Sequence, residues 1–319
     1  MRSAGGPSGC RARGAARSRS GDFRFERSGA SVNAPSAIAG AENAGAVTAR
    51  SRSNLALSFL ALPRPVREDM EILYAFCRII DDIADETALP VEERRAALAE
   101  WGRALAGPLP DGAPALAGPL RAMAARRGIP EGLLREILTG VEMDLGQDRY
   151  ETAEALAGYC YRVACCVGLA SLRVFGCEGP AAECYAIALG HALQWTNILR
   201  DVASDLRERG RVYLPLEDLR RFGVAEEDLL TGGEAFTQLM EFEAARAEAH
   251  FSAAAAAKRE LSRTDRARLS AAEFMGDAYR ILLRRMRADR FRVFAQTYRL
   301  GSADKLALVA RSVWRRVVP

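Results

Sequence analysis

The chain has only two histidines, His191 and His250, in 319 residues. Chemistry built on a histidine cluster, a His–Cys dyad or a histidine-ligated zinc is thereby nearly excluded, and any metal must be held by oxygen. Cysteine is sparse and unpatterned: Cys10, Cys77, Cys160, Cys165, Cys166, Cys177 and Cys184 are odd in number and contain no C-x-x-C. Most sit inside apolar runs, as small buried thiols of a reducing compartment do, so a cytoplasmic location is expected. From residue 50 onward no apolar stretch reaches 18 residues without Arg, Glu or Asp. No transmembrane helix is expected. A charge excess is missing too: 45 Lys and Arg stand against 41 Asp and Glu, a net +4 that argues against a nucleic-acid partner.

What is present is helix-forming. Long Ala-, Leu-, Glu- and Arg-rich stretches lie between the prolines, alternating β-branched runs are scarce, and no proline occurs between Pro215 and Pro319. The expected fold is all-α, with helices over 52–62, 66–86, 91–107, 116–127, 131–146, 152–176, 181–208, 234–261, 265–296 and 302–316. Residues 209–233 read as an irregular connection carrying short turns. Residues 1–45 are rich in Arg, Ser, Gly and Ala and read as a disordered basic extension, leaving 46–319 as one domain.

Two helical segments concentrate the chemistry. In Tyr74-Ala-Phe-Cys-Arg78-Ile-Ile-Asp81-Asp82-Ile-Ala-Asp85, the residues Tyr74, Arg78, Asp81 and Asp85 fall within roughly 60° on a helical wheel. In Gln194-Trp-Thr-Asn197-Ile-Leu-Arg200-Asp201-Val-Ala-Ser-Asp205, the stripe is Gln194, Asn197, Asp201 and Asp205. One D-x-x-x-D is often a solvated face, but carboxylates four apart repel, and here apolar helices carry two such ladders. Facing each other, they would surround a cavity with oxygen ligands suited to a hard divalent cation. Magnesium shares such ligands with phosphate oxygens. Arg78, Arg200 and Arg211 would grip the phosphates.

These segments, with Tyr159-Cys-Tyr161-Arg-Val163-Ala164-Cys-Cys-Val167-Gly168 and Gly210-Arg211-Val-Tyr213-Leu-Pro215, resemble the squalene/phytoene synthase family from about Ser51 to residue 312. The resemblance implies a single isoprenoid-synthase domain around an apolar cavity, in which two prenyl diphosphates condense through their C1 ends. It implies that Asp81, Asp85, Asn197, Asp201 and Asp205 ligate two or three Mg²⁺ ions. Arg78, Arg200, Arg211, Tyr74 and Ser53 would hold diphosphate, Gln194 would border the metals, and Tyr159 would assist proton loss and steady the cation. Val163, Val167, Gly168 and Leu169 would line the cavity.

Within the family the pattern looks most like a bacterial presqualene diphosphate synthase acting on farnesyl diphosphate for squalene and hopanoid synthesis. Phytoene synthesis from geranylgeranyl diphosphate, or full squalene synthesis, is the alternative. Outside enzymes, the alternative is a scaffold whose acidic helices bind a basic partner. The basic, amphipathic segment from Lys305 to Arg316 further suggests a peripheral contact with the inner membrane face, near downstream squalene-pathway enzymes.

Overall fold

The computed structural model describes residues 62–317 together with Ala44, Ser58 and Phe59. The expected extension over 1–45, all but Ala44, and most of helix 52–62 with Ser53, lie outside the described residues. Among the described residues the chain is helical throughout, as expected, with one isolated backbone bridge and no strand.

Proline and glycine punctuate the helices. Helix α1 (Arg64–Asp85) opens with proline in its first turn, and α2 (Val91–Leu105) and α4 (Glu131–Met143) follow Pro90 and Pro130. In those N-terminal positions the missing N–H costs no helical hydrogen bond. Between α2 and α4 lies α3 (Ala117–Arg127), closed by Gly128 in the left-handed conformation. The expected helix over 152–176 is three pieces: α5 (Ala153–Cys160), a π-helical turn (Tyr161–Cys165) and α6 (Cys166–Phe175). One extra residue in a turn rotates all that follows, which hydrophobic period alone does not reveal.

Helix α7 (Pro180–Arg209) runs through the centre, buried along most of its length. It packs along α10 (Glu234–Arg259), with the His191 and His250 rings stacked at 4.9 Å and Trp195 Nε1 donating to Glu243 Oε2 at 2.9 Å. On its other side α7 lies against the π turn so closely that a Cβ on Gly190 would stand 2.7 Å from Cys165 Cα. Only glycine fits there.

The connection after α7 holds two short helices, α8 (Leu216–Phe222) and α9 (Asp228–Thr231). The expected helix over 265–296 is corrected more substantially. It is α11 (Arg263–Arg268) and α12 (Ser270–Ala288), after which Arg290 and Phe291 take positive φ. Phe291 is wholly buried, and the chain reverses to seat its ring instead of prolonging an arginine-rich helix. Helix α13 (Ser302–Val317) then packs on α12.

These helices surround an apolar cavity walled by α1, α6, α7 and α12. Leu73, Tyr74 and Cys77 face it from α1, Leu189 and Leu193 from α7, and Met275 from α12. Val167 and Gly168 line it as expected, whereas Val163 and Leu169 do not. The stretch Ala153–Phe175 is long and apolar enough to cross a membrane by length and composition, but its two helices and π turn pack against α7.

Candidate active site

The two acidic ladders come from α1 and the C-terminal half of α7, and the structure buries both. Asp81, Asp201 and Asp205 are buried, as are Gln194 and Asn197, and the Asp85 side chain is 10% exposed. The ladders meet through arginine. Arg209 Nε stands 3.3 Å from Asp85 Oδ1 on α1, and its Nη1 stands 3.3 Å from Asp205 Oδ1 on its own helix. Arg211 Nη1 approaches the same Asp85 oxygen at 3.5 Å. Gly210, with φ at 64°, makes this possible: it ends α7 in the left-handed conformation and turns Arg211 back toward the acids.

Arg200 braces the second ladder internally. Its Nε and Nη2 donate to the two oxygens of Asp201 at 2.9 and 2.6 Å, and Nη2 also donates to Asn197 Oδ1. It is 3% exposed, and the donors described are spent on the ladder. Arg78 forks onto Asp82, with Nε and Nη2 at 2.9 and 2.7 Å. Asp82 therefore lies off the ladder as its helical angle requires, holding Arg78 in place.

Asp144 and its surroundings are the part that sequence reasoning missed. It follows α4 directly and is buried; its Oδ2 accepts from the Tyr159 hydroxyl at 3.1 Å and its Oδ1 from the Tyr213 hydroxyl at 2.8 Å. Tyr150, Tyr159 and Tyr213 form one aromatic cluster, with ring centroids 5.4 to 5.9 Å apart. Arg211 joins it by donating from Nη2 to the Asp144 carbonyl at 2.8 Å. The loop after Asp144 is held against the loop after Gly210: Val212 N–H donates to Asp148 O at 2.9 Å and Leu216 N–H to Tyr150 O at 2.9 Å. A lone aspartate outside any repeat carries no sequence signal, and only this loop pairing brings it to Tyr159. Arg209 was equally silent, being one arginine in the run Arg207-Glu-Arg209-Gly-Arg211.

The donor set fits hard cations bound together with a diphosphate. Every ladder side chain offers oxygen, while Arg78 Nη1 and Arg209 Nη2 are buried donors with no hydrogen-bond acceptor among the described residues. Buried guanidinium donors want an anionic acceptor. Among the described residues no three acidic, histidine or cysteine side chains converge into a complete metal cage. The apolar cavity opens alongside, with Tyr74 common to the α1 stripe and the cavity wall and set edge-on to Phe59 at 6.2 Å.

Comparisons with known proteins agree with this geometry. The model of the family described as squalene/phytoene synthase matches residues 48–304. The chain is 38% identical over 258 residues to a presqualene diphosphate synthase of Rhodopseudomonas palustris, covering 78% of this chain and 88% of the relative. It is also 38% identical over 243 residues to a 15-cis-phytoene synthase of Synechocystis sp., covering 69% of each. Among solved structures, a dehydrosqualene synthase in complex with a ligand superposes with a TM-score of 0.71 at 26% identity, covering 86% of this chain and 96% of that one. The squalene synthase HpnC from Alicyclobacillus acidocaldarius follows with a TM-score of 0.67 at 26% identity, covering 81% and 97%.

Proposed function

The chain belongs to the squalene/phytoene synthase family, prenyltransferases that condense prenyl diphosphates head to head, and from that membership we propose that it joins two farnesyl diphosphates into presqualene diphosphate. The observation that carries this reading is the pair of buried acidic ladders bridged by guanidinium groups at the side of an apolar cavity. The relative from Rhodopseudomonas palustris, matched over most of its length, supports the farnesyl specificity.

In this reading Asp81, Asp85, Asn197, Asp201 and Asp205 would hold two or three Mg²⁺ ions, whose positive charge would offset that of a leaving diphosphate. Arg78, Arg209 and Arg211 take phosphate oxygens, Arg200 keeps Asn197 and Asp201 in register, and Gln194 borders the set. The cavity excludes water from the allylic cation, whose C1 is attacked by the C2=C3 double bond of the second substrate. Loss of a proton to the released diphosphate, assisted by Tyr159, then closes the cyclopropane. Tyr159 lends electron density to that cation, and Tyr74 packs beside the chain. Ser53 is assigned a diphosphate contact on sequence grounds alone.

Phytoene synthesis is the second reading, because the Synechocystis sp. relative is equally identical. Incubation with Mg²⁺ and either farnesyl or geranylgeranyl diphosphate, without reductant, separates the two by product mass. A C30 cyclopropyl diphosphate is expected. Unchanged farnesyl diphosphate beside a C40 product would replace the first reading with the second.

The protein is further proposed to work in the cytoplasm against the inner membrane face, handing its product to downstream squalene-pathway enzymes. Leu306, Val313 and Trp314 stand 72%, 49% and 66% exposed along α13. Residues 284–319 carry ten Arg and Lys against two Asp. An exposed apolar row in a basic surround suits an anionic lipid surface. Trp101 and Trp195 are buried, so tryptophan emission reports on Trp314. A blue shift with phosphatidylglycerol vesicles, and none with phosphatidylcholine, is expected; emission unmoved by either removes the proposal.

A further inference from the structure

We propose that Asp144 is a positioning residue with two arms, setting the Tyr159 phenol for turnover and the Arg211 guanidinium for diphosphate binding. This rests on the condensation reading above but concerns a residue that the ladders and their arginines leave out.

The geometry is specific. The Asp144 side chain is 3% exposed, so water does not share its oxygens. Each oxygen receives one phenol: Oδ2 takes Tyr159 and Oδ1 takes Tyr213. A carboxylate only accepts, so both hydroxyls must donate inward, and the remaining lone pairs of each phenol oxygen face elsewhere. Donation to a charged acceptor also makes the phenol oxygen more electron-rich, which suits a group that steadies a passing cation. Tyr159 thus has a fixed proton direction, and its ring is clamped between a tilted contact with Tyr150 and a stacked one with Tyr213.

The second arm runs through Arg211. Its Nη1 lies 3.9 Å from Asp144 Oδ1 and 3.5 Å from Asp85 Oδ1, and its Nη2 donates to the Asp144 backbone. Asp144 therefore supplies both a counter-charge and a backbone anchor for a guanidinium that also reaches the α1 ladder. One residue connects the metal-ligand helix, the phosphate-binding loop and the tyrosine. Side-chain substitution leaves the backbone anchor in place, so the two arms separate experimentally.

The test uses the full chain with Asp144→Asn and Asp144→Glu, each alone and with Tyr159→Phe, read by steady-state kinetics on farnesyl diphosphate. Binding of inorganic pyrophosphate with Mg²⁺ is followed by calorimetry. Asp144→Asn is expected to lower kcat at least about 10-fold and to weaken pyrophosphate binding severalfold, since it removes the charge beside Arg211 and gives one phenol a donor to face. In the Tyr159→Phe background it should leave kcat within about twofold while still weakening pyrophosphate. Asp144→Glu keeps the charge but shifts the oxygens, so pyrophosphate binding stays near wild type while kcat remains low. Near-UV circular dichroism confirms the fold of each variant, and Asp144→Glu carries the test if Asp144→Asn does not fold.

A kcat loss that multiplies with that of Tyr159→Phe indicates a general structural role and overturns the proposal, as does an Asp144→Glu with wild-type kcat or lost pyrophosphate binding. Failure of the condensation reading shows differently. Wild-type protein then makes no product from either prenyl diphosphate, while the pyrophosphate measurement still tests the Arg211 arm.

Discussion

Arg209 shows how much one side chain decides at this site. Its guanidinium lies between Asp85 and Asp205, two buried carboxylates on different helices, and is itself 7% exposed. Replacing it with glutamine removes the cation that the two acids share, while Arg211 still stands 3.5 Å from Asp85, so the cost lies below the roughly 3–5 kcal/mol typical of a buried pair that loses one partner outright. The expected outcome is a lowered thermal midpoint for Arg209→Gln, with added Mg²⁺ restoring more of it than Mg²⁺ adds to wild type. Equal Mg²⁺ shifts in the two proteins would show that Arg209 and the cation do not share the acids. Asp81→Asn and Asp201→Asn, by contrast, should retain the fold and lose about 100-fold or more in kcat, the order seen when one electrostatic stabiliser is removed. A scaffold would instead lose binding of a basic partner, with no dependence on metal. The acidic ladders were legible in the sequence because i, i+4 spacing on an apolar helix is a one-dimensional signal. Arg209 and Asp144 were not, since their roles arise from the return of one loop onto another.

At the scale of elements, the α7–α10 contact contains the chain's only two histidines. The rings stack 22° from parallel. Burial, and for His191 also the neighbouring His250, holds both imidazoles below the ordinary 6.5, with His191 lowered to about 4. As pH falls the unfolded chain therefore takes up the proton first. The stability of the neutral stack is complete above pH 6.5 and is lost as pH falls toward 4. Glu243, which accepts from Trp195 on the same contact, acts with the opposite sign: burial raises its carboxyl, so its contribution is lost as pH rises above its ordinary 4.5. Comparison with His191→Leu isolates the stack. Between pH 7 and pH 5 wild type should lose about 1–2 kcal/mol more than the variant in denaturant melts, and parallel curves would contradict this. Helix placement was readable wherever proline or glycine marked an end, as at Pro130 and Gly210. It failed at the π turn and beyond Ala288, where tertiary packing of Cys165 against Gly190 and burial of Phe291 override the local period.

For the molecule as a whole, the even overall charge proved to conceal a division: the ladders gather acid on α1 and α7 while the last 36 residues gather base. The all-α class followed directly from composition, because little else can be built from alanine, leucine, glutamate and arginine without β-branched runs. The cavity did not, since which apolar faces leave space between them depends on how α1, α6, α7 and α12 cross. Among the described cysteines Cys184 alone is exposed, while Cys77 is buried in the cavity wall with its thiol pushed well up by burial. A protonated, enclosed thiol reacts only during openings of the surrounding helices. In a Cys10→Ser, Cys184→Ser background, peptide mapping after alkylation gives the rate at Cys77. A non-hydrolysable farnesyl diphosphate analogue with Mg²⁺, at ten times its Kd, should slow that rate about tenfold; an unchanged rate would mean that the prenyl chain lies elsewhere. Under an alkylating reagent the cavity wall thus keeps time, its Cys77 thiol recording in covalent bonds how often the bundle parts.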